Sequence, residues 1–224
     1  RGVMAVHIML FHSFLYSKLQ WHLIGSAHMP LFFILSGFVL ALSDGAKAFG
    51  RMPFCGELYT APVYEQPPRM DGWAFYRRRF ARTVPLYYIS NLMCVPLVYL
   101  PGNFLHQDRA PFTYILTLFG VTTWLGAPMS INGPSWFVST LWFFYWCFPA
   151  LLPVLQEYSI DSMRRWIVVH YFLQIVFGVA CFLALYFAGY PDLAFVFSTF
   201  WPPSRFPVFI MGVLAGLLRV VDAG

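Results

Sequence analysis

Charge is what this sequence has least of. Only 10% of its 224 residues are Asp, Glu, Lys or Arg, and nine are acidic, against about 25% charged in ordinary soluble domains. Cysteine is scarce too. Cys55, Cys94, Cys147 and Cys181 form no C-x-x-C pair and no zinc spacing, so they carry no metal or redox motif. Three of them lie in apolar runs, where a cysteine acts as a small hydrophobe. There is no Walker loop, dinucleotide fingerprint or H-E-x-x-H, so no phosphate-loop, dinucleotide or zinc-protease chemistry is indicated. An arginine ladder and a T-V-G-Y-G filter are absent as well, which leaves a channel without support.

What the chain has in excess is apolar surface. It is 59% hydrophobic and 21% aromatic, with a mean hydropathy of +0.65. A soluble fold of this size leaves too much surface facing water to hide such a composition. Hydrocarbon is the solvent that fits. The expected fold is all-α: one polytopic transmembrane helix bundle covering residues 1–224, with the lipid bilayer as its first partner. The net charge of +5 does not imply nucleic acid, because the basic residues collect in short loops between apolar runs, the positive-inside pattern.

The apolar runs fall near 2–19, 29–42, 75–99, 111–124, 136–155, 166–187 and 206–221. Residues 44–76, with Pro53, Pro62, Pro67 and Pro68, read as an extramembrane loop. Placing Arg77-Arg78-Arg79 and Arg82 in the cytoplasm sets the orientation and makes loop 44–76 cytoplasmic. The run at 111–124 is short and leads into polar Thr122-Thr123. If it crosses, 9 of the 14 Lys and Arg lie inside; if it dips and returns, 11 do (Arg1, Lys47, Arg51, Arg69, Arg77, Arg78, Arg79, Arg82, Arg164, Arg165 and Arg219). The dip is therefore expected, giving about six crossings and one re-entrant segment. The sequence opens at Arg1 without a methionine or a cleavable signal, and reads as a fragment whose first helix serves as its own insertion signal.

Arg1 and His12 are the most informative pair. Eleven residues at about 100° each bring both onto one helix face, roughly 16 Å apart along the axis. Polar groups inside a span are costly and usually meet a cavity or a partner. A guanidinium at the cytoplasmic mouth suits an anionic donor, and a deep imidazole suits proton abstraction from a hydroxyl. A snorkelling Arg and a hydrogen-bonded packing His fit the same spacing. Arg79 and Arg82, i and i+3, share a face where bidentate guanidinium groups suit phosphate or carboxylate; a basic cluster that merely orients the helix is equally consistent. Pro85 is expected to kink or start that helix. Ser36-Gly37 in an apolar helix reads as a close-packing pair, since no G-x-S-x-G elbow surrounds Ser36. Trp136 fits an interfacial belt, and Ser135 a helix N-cap. The aromatics from Trp142 to Trp146 either line a sugar or acyl-chain site or face lipid.

At these residues the chain resembles the acyltransferase-3 family of integral membrane O-acyltransferases. Arg1-x10-His12 is similar to the family's first-helix motif, and Phe32-Phe33-Ile34-Leu35-Ser36-Gly37-Phe38 to its second-helix signature. Arg79-x-x-Arg82 with Pro85 is similar to the entry of the third helix. Trp136-Phe137-Val138-Ser139 with Phe144-Tyr145 and Pro149 resembles a later helix, and Arg205-Phe206-Pro207-Val208-Phe209-Ile210-Met211-Gly212 the late R-x-P-x-F-x-x-G element. The resemblance implies an acyl-CoA co-substrate, usually acetyl-CoA, with no tightly bound cofactor and no metal. It implies a saccharide or glycan hydroxyl as acceptor. His12 and Arg1 become catalytic candidates, Arg79 and Arg82 donor-binding candidates, and Ser36, Trp136, Ser139 and Tyr145 possible lining. Many members carry Glu five residues after the tryptophan, where this chain has Leu141. The family domain also has further helices, so the last ones are expected to be missing. A transporter or lipid-handling protein on the same scaffold is the alternative.

Overall fold

The computed structural model describes residues 28–45, 70–96, 110–126 and 131–222. Arg1 and His12 lie outside them, as does most of loop 44–76. Among the described residues the fold is all-α. Its helices are α1 (His28–Leu40), α2 (Gly72–Cys94), α3 (Ala110–Phe119), α4 (Trp136–Gln156), α5 (Ile160–Phe187), α6 (Pro191–Thr199) and α7 (Pro202–Asp222). Three helical stretches among them, Gly133–Gln156, Ile160–Phe187 and Pro191–Val221, are long and apolar enough to cross a membrane, and Met29–Gly45 is a shorter apolar helix. The run at 75–99 is not among the three: α2 carries four arginines in its first half. It starts at Gly72, where Asp71 Oδ1 accepts from Ala74 N (3.1 Å), and runs on past Pro85. Pro85 therefore does not start the helix.

The chain divides into two compact units, one of residues 1–68, 155–171 and 207–224, the other of 69–154 and 172–206. In the first, α1 packs on the 207–222 part of α7 through glycines. A Cβ on Gly37 would meet the Phe209 carbonyl and lie 2.9 Å from Val213 N; one on Gly216 would lie 2.6 Å from Phe38 O; one on Gly212 would run into the Ile34 carbonyl group. Gly212 and Gly216 stand four residues apart, so they share the face on which two backbones approach. Phe33, Phe209, Val213 and Leu217 bury fully beside them. After Leu40 the helix widens into a π turn, Ala41–Gly45. There Ser43 Oγ donates to Asp44 Oδ2 (3.1 Å) and Asp44 is buried.

In the second unit α2 and α4 run antiparallel: Gly72 faces Pro149, Phe75 stacks on Phe148, Phe80 meets Trp142, and Asn91 reaches Ser135. Short α3 lies along α2, with Tyr87 Oη donating to Thr117 O (3.0 Å). At ten residues α3 is about 15 Å long, half a hydrocarbon core. It ends at Gly120, whose φ of +66° and the Trp142 ring packed on it leave no room for a side chain. A 3₁₀ turn, Thr122–Leu125, follows; its Thr122 and Thr123 are buried, whereas Leu125 is exposed. By contrast α5 leaves a broad face exposed, through Val168, Val169, Phe172, Leu173 and Val176 among others, while the stripe of Ile167, His170, Gln174, Gly178 and Cys181 is half-buried. A broad exposed apolar face suits a helix in contact with lipid.

Candidate functional site

Of the sequence-predicted residues, one cluster of the second unit holds Arg79 with Tyr145 and another holds Ser139. The first surrounds Arg79. Its guanidinium carbon lies 5.4 Å from the centroid of the Phe75 ring, one helical turn earlier, within cation–π range. Phe75 is fully buried; it stacks on Phe148 (5.3 Å) and meets Tyr145 edge-on (6.2 Å). Arg79 is thus half-buried on an aromatic floor that includes Tyr145. Arg82 is exposed, like Arg77 and Arg78. Sequence spacing places Arg79 and Arg82 on one face, but the structure gives them different surroundings. The carbonyl of Arg79 accepts from Thr83 Oγ1 (3.2 Å), which in turn accepts from Trp142 Nε1 (3.0 Å), tying this turn of α2 to α4.

The second cluster is a set of buried hydroxyls. Ser139 Oγ pairs with Thr123 Oγ1 (2.9 Å) and accepts from Thr123 N (3.3 Å). Thr140 Oγ1 reaches Thr123 Oγ1 (3.3 Å) and donates to Phe200 O (3.2 Å). Trp124 Nε1 donates to Ser139 O (3.0 Å). Ser139 therefore anchors the 3₁₀ turn that follows α3. Trp136, at the start of α4, is buried edge-on to Phe200 (4.8 Å). Ser36 is buried in α1, in the other unit, beside Gly37.

Hydrogen bonds inside apolar surroundings are individually modest, about 0.6–2 kcal/mol. Ser139→Ala and Thr123→Val are each expected to lower thermal stability by about that much. Because they break the same bond, the double variant is expected to fall short of their sum by roughly 0.5 kcal/mol or more. Thermal unfolding of the four proteins in detergent measures it, and full additivity would show that the pair does not act together.

Two residues stand out that the sequence reading left without a role. Asn91 is buried; its Nδ2 donates to Tyr87 O (2.8 Å), and its Oδ1 accepts from Ser135 Oγ (3.3 Å) and Asn132 N (3.3 Å). It pins the approach to α4 onto α2, and it was visible as an amide inside an apolar run. Arg205 donates its Nε to Thr199 O (2.6 Å) where α6 gives way to α7.

The profile of the acyltransferase-3 family, described as an acyltransferase domain, matches residues 1–223. The chain belongs to that family. Among curated proteins, the acyltransferase MdmB of Streptomyces mycarofaciens is 27% identical over 210 residues, covering 87% of this chain and 47% of MdmB. The chain thus spans about half the length of that relative. No solved structure matches. Within this acyltransferase-3 chain Gly37 is a helix-packing residue, and Arg79 is the member of the R-x-x-R pair that the fold partly encloses.

Proposed function

We propose that the chain forms part of a multi-pass membrane enzyme that moves an acyl group, in the first instance acetyl, from cytoplasmic acyl-CoA to a hydroxyl of a carbohydrate-like acceptor. The observation that carries this reading is a family match over nearly the whole chain, joined to a partly enclosed guanidinium at Arg79. In this reading loop 44–76 is cytoplasmic. His12 takes the proton of the acceptor hydroxyl, and the oxygen attacks the thioester carbonyl. The tetrahedral intermediate collapses, the C–S bond breaks, and His12 returns the proton to the departing CoA thiolate. Arg1 and Arg79 serve the donor: they pair with its phosphates or face the carbonyl oxygen as charge develops on it. Arg82, being exposed, adds longer-range attraction.

The test is transfer of labelled acetyl from acetyl-CoA to saccharide by membranes containing the full-length protein, with mass spectrometry of surface and secreted glycans from cells with and without the gene. Gene-dependent O-acyl esters are expected. Unaltered glycans together with no labelled product would refute the assignment. Within the same assay, Arg79→Gln is expected to raise the donor KM by about tenfold, and Arg82→Gln by much less, because solvent screens an exposed charge. Equal effects would remove the distinction drawn from their burial. Leu141, buried on α4 where many members carry Glu, favours a second reading: a lipid-handling or transport protein without chemistry, for which acyl transfer would be absent and ligand binding retained.

A further inference from the structure

We propose that Arg205 binds a phosphate group at the break between α6 and α7. Pro191–Val221 is long and apolar enough to cross a membrane, yet it is two helices, ending at Thr199 and restarting at Pro202. Irregular backbone at membrane depth survives only where its polar groups are met. Here they are: Thr199 O accepts from Arg205 Nε (2.6 Å), Phe200 O from Thr140 Oγ1 (3.2 Å), and Trp201 O from Ser204 N (3.1 Å) and Ser204 Oγ (2.7 Å).

A neutral amide side chain would serve Thr199 equally well, so the break itself does not account for a charge. A guanidinium carries five N–H donors, and only Nε is engaged. Among the described residues the two Nη groups make no hydrogen bond and Arg205 forms no ion pair. The half-buried cation also stands in the first turn of α7, where the peptide dipoles add roughly +0.5 charge. Pro202 and Pro203 occupy the first two positions and have no N–H to offer. Among the described residues no ion pair offsets this positive charge, and an arriving anion would. Broken membrane helices that aim a half-helix N-terminus at an anionic ligand group are a recurrent device. The planar fork left open by the Nε anchor fits phosphate bidentately. The phosphate has two sources: acyl-CoA, which rests on the function proposed above, or a phospholipid headgroup, which does not.

The full-length protein, purified in a phospholipid-free maltoside detergent, separates them. Thermal unfolding is followed with CoA, with inorganic phosphate, with dioctanoyl phosphatidylglycerol, and with two controls, dioctanoylglycerol and potassium chloride at matched ionic strength. Stabilisation by phosphate-bearing probes beyond the controls is expected, with the apparent affinity falling about tenfold or more in Arg205→Gln. Loss of the CoA response assigns the donor phosphate; loss of the phosphatidylglycerol response alone assigns the headgroup. If Arg205→Gln does not fold, Arg205→Lys, which keeps the charge without the fork, is expected to weaken the same probe about tenfold. The proposal is overturned if the variant responds as the wild type does, or if no probe exceeds its control. Wild-type CoA binding that ignores Arg205, with no Arg205-dependent response to phosphate or phosphatidylglycerol, would leave the acyl-CoA reading standing and remove this one. No CoA binding, with an Arg205-dependent lipid response, would do the reverse.

Discussion

Replacing His12 by alanine in the full-length protein is expected to lower acyl transfer by roughly 10²–10⁴-fold, the usual contribution of a positioned general base, while membrane insertion is unchanged. The reason is chemical. An alcohol is a poor nucleophile until its proton has somewhere to go, and imidazole is the side chain whose unperturbed pKa lets it accept and return that proton near neutrality. Insertion is set by the apolar run at 2–19, which loses no hydrophobicity when a histidine becomes an alanine. The measurement pairs initial rates of labelled acetyl transfer with protease-protection mapping of the same membranes. A variant that inserts normally and transfers at the wild-type rate would remove His12 from the chemistry. In the proposed mechanism the loss falls on kcat rather than on the donor KM, because the base acts on the acceptor in the transition state.

A second large effect belongs to the α1–α7 crossing. Gly212→Val is expected to destabilise the first unit by about 3 kcal/mol or more, at or beyond the upper end for an overpacked site. A Cβ at this position would stand 2.8 Å from Ile34 C and 2.9 Å from Ile34 Cα. Those are backbone atoms, so no rotamer change relieves the clash; the helices must move apart. Separation would also expose Phe33, Phe209 and Val213, which are now fully buried. At 2–4 °C per kcal/mol for chains of this size, Tm drops by roughly 6–12 °C. Gly178→Ala is the control: its added Cβ has as nearest neighbour Ser198 O at 4.0 Å, and alanine is the better helix former by about 1 kcal/mol. It is expected to be neutral or stabilising. If Gly212→Val melts with the wild type, the close crossing of α1 and α7 is wrong.

Much of the architecture was legible in the residues. The small pair Ser36-Gly37 inside a phenylalanine-rich helix announced a close approach, since only small side chains let two backbones touch. Its partner did not announce itself: Gly212 and Gly216 are far along the chain. The short run at 111–124 read as too brief to span, and α3 is indeed ten residues long. That its continuation is anchored by Ser139 was not legible. Arg79 and Arg82 looked equivalent by helical spacing. Phe75 one turn before Arg79, resting on Phe148 from α4, makes them different. The run at 206–221 was visible as apolar, whereas its extension back to Pro191 and the break at 200–201 were not, because α6 and α7 are each ordinary helical sequence.

The order of the motifs came from the resemblance to the family; composition and periodicity by themselves determined the apolar solvent and the helical class. These are local or summed properties: apolar area, charge scarcity and repeat angle can be read without knowing any neighbour. The tertiary structure alone decided which polar groups inside the apolar bundle are satisfied, and by whom. Ser139 finds Thr123 sixteen residues away, Ser135 finds Asn91 at forty-four, and Thr140 finds Phe200 at sixty. A hydrogen-bonding group removed from water must be met by some partner, but sequence distance does not say which. Only the packing of α2, α4 and α6 around that interior makes the choice.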